Sequence, residues 1–568
     1  MSLDAFPGAR AAPAVRLALA LIIAGACILA AGCWRVYSNT WDEPEHLAAG
    51  VELLDRGIYE YDTEHPPLGR IFMALGPYLA GARSFDTPGP EGTREGEDIL
   101  YSGANYERYL TLARLGMLPF LALLLIVTWL WARALFASPG AALLAVLLLA
   151  SVPPILGHGA LASLDVAAAA TMLLAFYALQ RWIVSATYQD ALFFGLATGV
   201  AVATKFSAVP FVGLALPVLA LLRLGVRPGR NAGQARVASP RRAWLAGLAV
   251  AVLAGLLPIL VVYGPRADTP AGVAHRFDWA VAYLLQERGF DHQLGALLQH
   301  VWLPRPFKDL VNGIVAVKAH NDTGHLSFLL GQVSYTGWWY FYLVALAVKT
   351  PLPILVAGLP GLAGLAWQGL RQRKLWQMAP AVLVVLILVF ASTFSRINIG
   401  IRHVLIVYPF LALGAAWVMM RAWGALRSLR APRVAMAGKA AVLALLAWQL
   451  STLLSAYPDY LPYFNETVAH PENVLVDSDL DWGQDLKRLE WRAAQLKIPQ
   501  LALAYRGTAL LSKEPLPPFT DLPPNQPTSG WVAISELART RNPNDYAWTR
   551  AYQPVERVGK TIDLYYIP

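Results

Sequence analysis

Leu17-Ala-Leu-Ala-Leu-Ile-Ile-Ala-Gly-Ala-Cys-Ile-Leu-Ala-Ala-Gly-Cys33 runs without a charge and empties into Asn39-Thr-Trp-Asp-Glu-Pro-Glu-His46. A bilayer core takes about 20 apolar residues as a helix. The first stretch therefore reads as a membrane span, and Asp42 and Glu43 as acids held at the membrane surface. A carboxylate at that depth is costly unless it is paired or used.

The same pattern recurs along the chain. Leu115–Trp131, Ala141–Leu156, Val166–Trp182, Ala208–Leu222, Ala243–Tyr263, Ala379–Phe390, Val404–Met420 and Ala440–Tyr457 are nearly charge-free blocks. Trp338–Trp367 is longer, and its Pro351, Pro353 and Pro360 predict a kinked or broken helix. A short further span is expected at Asp190–Thr204. The spacing predicts an α-helical polytopic membrane protein with about eleven transmembrane helices. Charged residues are 15% of the 568, against about 25% in a soluble protein. Cys27 and Cys33 both lie in the first span and form neither a metal site nor a disulfide.

The net charge of +9 is unevenly spread. Arg10 and Arg16, the stretch 223–242, Arg371 to Lys374, and Arg421 to Lys439 flank spans. By the positive-inside rule they face the cytoplasm, with the N-terminus inside. Nucleic-acid binding is excluded as the meaning of this charge. The threading leaves 38–108, 157–165, 204–207, 264–337, 394–403 and everything after 457 outside. Residues 1–456 are then the membrane domain and 457–568 an extracytoplasmic C-terminal domain. Alternating runs at Leu501–Tyr505 and Gly530–Ser535 predict that this domain is small and α/β.

The loop 38–108 holds 14 acids and 5 arginines. Residues 45–56 and Pro67–Ala82 predict two amphipathic surface helices, the second started by proline. Glu64-His-Pro-Pro-Leu-Gly-Arg70 opens the second. Asp42 reads either as a helix cap before the Pro44 turn or as a reactive carboxylate. Basic residues at outer span ends, Arg114, Lys205, Arg402 and His403, run against the charge bias and need an anionic partner.

With these motifs on the page, the chain resembles the GT-C glycosyltransferases. The likeness is to the protein O-mannosyltransferase and aminoarabinose-transferase branch, as a bacterial glycosyltransferase family 39 member. It covers 1–455. Tyr109–Arg114, Ser163-Leu-Asp165, Ala203-Thr-Lys-Phe-Ser207 and Asn398-Ile-Gly-Ile-Arg-His-Val-Leu405 resemble further family motifs. So do Gly324-His325 through Pro353 and Ser478-Asp-Leu-Asp-Trp-Gly-Gln-Asp485. The C-terminal domain differs from both named branches.

The resemblance implies inverting transfer of a sugar from a polyprenyl-phosphate carrier to an acceptor on the extracytoplasmic side of a cell inner membrane. It implies Asp42 as base with Glu43 beside it. His65, Arg70, Arg114, Lys205, Arg402 and His403 are expected at the donor phosphate or lipid, and Asp165 at acceptor or sugar. A metal-independent site is expected; an Mg²⁺ or Mn²⁺ ion, if present, would sit between Asp42, Glu43 and Asp165. The acceptor stays open between a protein hydroxyl, a glycolipid and a cell-wall polymer. The alternatives are a lipid-linked sugar flippase or transporter, and a non-catalytic lipid-binding scaffold. Trp482 is either an acceptor contact or part of a helix cap.

Overall fold

The computed structural model describes residues 12–87, 92–225, 241–264, 283, 305–542 and 544–568. Arg10, the basic stretch beyond Gly225 as far as residue 240 and most of the loop 264–337 lie outside the described residues. Helix α1 (Pro13–Gly32) is followed by surface helices α2 (Glu43–Arg56), α3 (Pro67–Leu79) and α4 (Thr93–Leu100). The two expected surface helices are therefore present, and α4 is a third. Next come α5 (Tyr106–Leu115), α6 (Leu118–Phe136), α7 (Pro139–Ala150), α8 (Pro153–Gly159), α9 (Asp165–Ser185), α10 (Tyr188–Thr204), α11 (Ala208–Gly225) and α12 (Arg241–Val262).

Nine helices among the described residues are long and apolar enough to cross a membrane, or ten if a bent pair counts as one span. That pair is α7 and α8, bent by 65°. The expected straight block Ala141–Leu156 breaks at Pro153-Pro154, because neither proline has an N–H to continue the ladder. The expected short span at Asp190–Thr204 is α10, 17 residues long. Glycines let it pack closely. A Cβ on Gly195 would lie 2.1 Å from Ala251 O, and one on Gly199 2.2 Å from Gly255 O, both on α12.

Helix α13 (Arg305–Thr323) leads into a hairpin of β1 (Ser327–Leu329) and β2 (Gln332–Ser334). The predicted break in the long apolar block falls at Thr350-Pro351, between α14 (Phe341–Lys349) and α15 (Leu352–Gln372). Helices α16 (Leu375–Phe394), α17 (Val407–Arg427) and α18 (Pro432–Ala456) complete the bundle.

After the bundle come α19 (Leu486–Leu496), β3 (Leu501–Ala504), β4 (Phe519–Asp521), β5 (Gly530–Ser535), α20 (Glu536–Arg541), β6 (Glu556–Val558) and β7 (Ile562–Ile567). They form one mixed sheet of order β4-β3-β5-β7-β6. Strands β3, β4 and β5 run parallel, and β7 pairs antiparallel with β5 and β6. Both predicted runs are strands at its centre. Its own apolar core includes Leu489, Leu503, Ala533 and Leu564.

Candidate active site

Asp42 stands at the N-cap position of α2, but its side chain makes no cap hydrogen bond. Its carboxylate pairs instead with the Arg402 guanidinium. Arg402 comes from a single 3-10 turn, Ile401–Val404, just before α17. Asp165, the first residue of α9, does not cap its helix either. Its Oδ1 accepts from Lys205 Nζ at 2.7 Å, and its Oδ2 lies 3.8 Å from Arg402 Nη1. Lys205 is the C-cap of α10. Four segments far apart in sequence thus bring two carboxylates and two cations to one place.

That place is a cavity of about 980 Å³ lined by Asp42, His65, Asp165, Lys205, Arg402 and His403. Six of the nine residues expected at a site therefore share it. Its other half is apolar: Met172, Phe206, Phe211, Phe390, Phe394 and Leu405 line it between α9, α11 and α16.

Among the described residues, several buried polar atoms of the residues that line this cavity have no hydrogen-bond partner. They include Arg402 Nε, His403 Nε2 and Asp165 Oδ2. A buried donor left unsatisfied costs about 1–3 kcal/mol; Arg402 Nε has no acceptor among the described residues, and His403 Nε2 has no partner of either kind. Arg402 is a fixed cation: burial opposes its charge, but Asp42 and Asp165 outweigh that and raise its pKa. Burial, with Lys205 and Arg402 nearby, holds His403 well below the usual imidazole range. It is therefore a neutral hydrogen-bonding group.

Three expected site residues lie elsewhere. Glu43 and Arg114 are each 1% exposed and are absent from the cavity lining. Arg114 donates to Glu43 through Nε at 2.7 Å and Nη2 at 2.8 Å, and to the carbonyls of Tyr37 and Ser38. Glu43 also accepts from Thr40 N at 2.7 Å and Ala162 N at 2.8 Å. Burial pushes its pKa up, but Arg114 and these donors hold it below the carboxylate range. The pair is a brace that ties the first loop to the turn before α9; it has no free atom for a donor phosphate. Arg70 is fully buried and spent on Asp62, Tyr59 Oη and His46 Nδ1. It supports His65 indirectly, since His65 Nδ1 sits 2.9 Å from Asp62 Oδ2.

The donor set does not fit a divalent ion between Asp42, Glu43 and Asp165. Glu43 is turned away into the brace, and the other two carboxylates already face Arg402 and Lys205. A second group, His46, Asp62 and His65, brings ligand atoms within 4.8 Å of one another. Arg70 occupies its centre, donating to His46 Nδ1 and Asp62. A cation is already built in there.

The sequence reading missed Glu45, His46, Asp62 and Asp477, all of which line the cavity. Glu45 had a signal, because it lies three residues after Asp42 on the same helix face. Asp477 had none: its backbone is left-handed, at φ 51°, which arises only in the folded loop.

Burial pushes Asp477 and Asp481 up to about 7, and Glu536 likewise although Arg539 opposes it. Unfolded, these groups ionise near about pH 4. The folded chain thus holds more protons between about pH 4 and 7, and stability falls as pH rises through that window. Glu43 and Asp62, held low, act in the opposite sense below about pH 4, and His46, His325 and His403, held below the usual imidazole range, oppose the fall up to about pH 6.5. The purified chain should therefore melt at a lower temperature at pH 8 than at pH 5.5. An equal or higher Tm at pH 8 contradicts this assignment of the buried carboxyls.

Residues 20–261 match the family described as dolichyl-phosphate-mannose-protein mannosyltransferase. No curated protein matches. Among solved structures, the chain is similar to ArnT from Cupriavidus metallidurans bound to undecaprenyl phosphate. The identity is 15% and the TM-score 0.46, over 96% of this chain and 97% of that one. It is also similar to the S. cerevisiae Pmt1-Pmt2 complex bound to the sugar donor, at 17% identity and a TM-score of 0.34, over 45% and 34%. For AglB from Archaeoglobus fulgidus, in complex with an inhibitory peptide and a dolichol-phosphate, the values are 12% and 0.37, over 78% and 55%. The family match covers the motifs from Asp42 to Ser207 on which the resemblance was read.

Proposed function

We propose that this multi-pass membrane glycosyltransferase takes its sugar from a polyprenyl-phosphate carrier and passes it, with inversion at the anomeric carbon, to an acceptor hydroxyl. The observation that carries the reading is the cavity itself: Lys205, Arg402 and His403 at its polar end, and an apolar half lined from α9, α11 and α16. A lipid phosphate needs both halves. A free anion would need only the first.

In the reaction, the acceptor oxygen attacks the anomeric carbon as its bond to the phosphate oxygen breaks. The acceptor proton goes to Asp42. The released polyprenyl phosphate keeps the electron pair, and Lys205, Arg402, His403 and His65 stabilise its charge. Asp165 holds Lys205 toward it and meets the sugar or acceptor. Two cations facing two carboxylates make the site electrically self-sufficient, so no metal is required. Glu43 and Arg114 act on Asp42 only by fixing its backbone, and Arg70 acts on His65 through Asp62.

The chain would lie in a cell inner membrane with its N-terminus cytoplasmic and residues 457–568 outside. The acceptor is a protein hydroxyl, a glycolipid or a cell-wall polymer.

The test uses purified full-length chain, a labelled polyprenyl-phosphate sugar and a membrane extract as acceptor source. The expected result is loss of label from the carrier and a product whose anomeric configuration is opposite to that of the donor. Retained configuration would overturn the single-displacement mechanism, and an unconsumed donor would overturn the donor class.

A further inference from the structure

The stretch Ser478-Asp-Leu-Asp-Trp-Gly-Gln-Asp485 has no part in the reaction as drawn, yet it is built into the site. Its later half clamps the strand of backbone that leads to Asp42. Ser38 N donates to Gln484 O at 3.0 Å, and Trp41 N to Trp482 O at 3.1 Å. Ser38 Oγ donates to Gly483 O at 3.1 Å. Its first half clamps the turn that leads to Arg402. Ile401 N donates to Asp479 Oδ1 at 3.0 Å, and Ser478 Oγ donates to Ile399 O. Gly400 between them has φ 146°, and a Cβ there would meet Ser478 Oγ at 2.2 Å. One short stretch therefore sets both backbones that carry the Asp42–Arg402 pair.

Trp482 occupies the space between. It is 2% exposed. The Arg402 guanidinium carbon lies 4.5 Å from the centre of its ring. A guanidinium hydrogen-bonds through its edge and stacks through its face. With the Trp482 ring beside it, the Arg402 guanidinium still presents Nη1 to Asp42 and Asp165. Stacking has no preferred direction within the ring plane. The guanidinium can therefore turn from Asp42 to an anion without losing the aromatic contact.

We propose that Trp482 is a positioning residue whose ring holds Arg402 between Asp42 and the donor phosphate, so that Arg402 can leave the Asp42 carboxylate for the phosphate. The proposal rests on the reading of the cavity as a polyprenyl-phosphate site. The C-terminal domain is then part of the catalytic machinery.

The experiment measures binding of undecaprenyl phosphate to full-length protein in detergent for wild type, Trp482→Leu, Trp482→Phe, Arg402→Lys and the two double variants. Loss of a buried cation–π contact should weaken binding about tenfold in Trp482→Leu, with Trp482→Phe recovering part of it. If Trp482 acts through Arg402, Trp482→Leu in the Arg402→Lys background should add little. A ring that served only the fold would add its full effect in either background. Additive losses, or unchanged binding in Trp482→Leu, overturn the proposal. Should Trp482→Leu fail to fold, the Trp482→Phe cycle decides alone. Wild-type protein that does not bind undecaprenyl phosphate removes the donor reading and this proposal with it. Wild type that binds and is weakened by Arg402→Lys, but not by Trp482→Leu, removes this proposal only.

Discussion

Arg114→Ala will destabilise the chain by about 3–5 kcal/mol, because it strips the counter-charge from a carboxylate that cannot reach water. Glu43 is 1% exposed, and among the described residues it has three donors apart from Arg114, namely Thr40 N, Thr40 Oγ and Ala162 N. Arg114→Lys should recover little, since one ammonium cannot supply the paired bonds at 2.7 and 2.8 Å together with the two carbonyl contacts. Removing both charges, as Glu43→Leu with Arg114→Leu, should not restore stability either. Often such a swap is neutral. Here the Thr40 and Ala162 N–H groups would lose their acceptor. Thermal unfolding in detergent reads all three variants. Wild-type stability in Arg114→Ala would return Arg114 to the list of residues free for a ligand.

Lys205→Ala will slow sugar transfer by about 10²–10³-fold, the usual effect of removing one preorganised charge-stabilising group. Among the described residues, Lys205 and Lys318 are the lysines that line the cavity, and Lys205 lies 2.7 Å from Asp165 Oδ1. Its loss also leaves Asp165, already with an unpartnered Oδ2, short of its nearest cation. Lys205→Arg keeps the charge and should retain much more activity. Equal rates for Lys205→Ala and wild type would show that the phosphate does not approach this side of the cavity.

Much of this was legible in the sequence because bilayers impose strong patterns. Charge-free blocks marked the spans, prolines marked the break before α15, and the helices at 45–56 and 67–82 were visible as amphipathic segments. Lys205 and Arg402 stood out because each sits against the charge bias, and both line the cavity. What stayed hidden was pairing. Glu43 and Asp42 are neighbours in sequence, and only the fold turns one to Arg114 and the other to Arg402. Arg70 and Arg114 look like available cations in a sequence; in the structure each is spent on a buried carboxylate. The bend between α7 and α8 was masked by the continuous apolar character of the block containing it. The acids at 45, 62 and 477 were lost among loop carboxylates, because a solvated acid and a cavity acid have the same local signature. The motif around Trp482 was left between an acceptor contact and a helix cap; in the structure Asp485 makes no side-chain cap bond, and Trp482 lines the cavity beside Arg402.

The central claim is that Asp42 receives the acceptor's proton while other groups hold the donor. Asp42→Asn keeps the shape and removes the base. Undecaprenyl phosphate binding and transfer of labelled sugar from its polyprenyl carrier should be measured on the same preparation of this variant. The expected result is binding at least as tight as wild type, since Arg402 is no longer held by a carboxylate, with transfer slower by about 10²–10⁴-fold. Transfer at the wild-type rate would contradict the account.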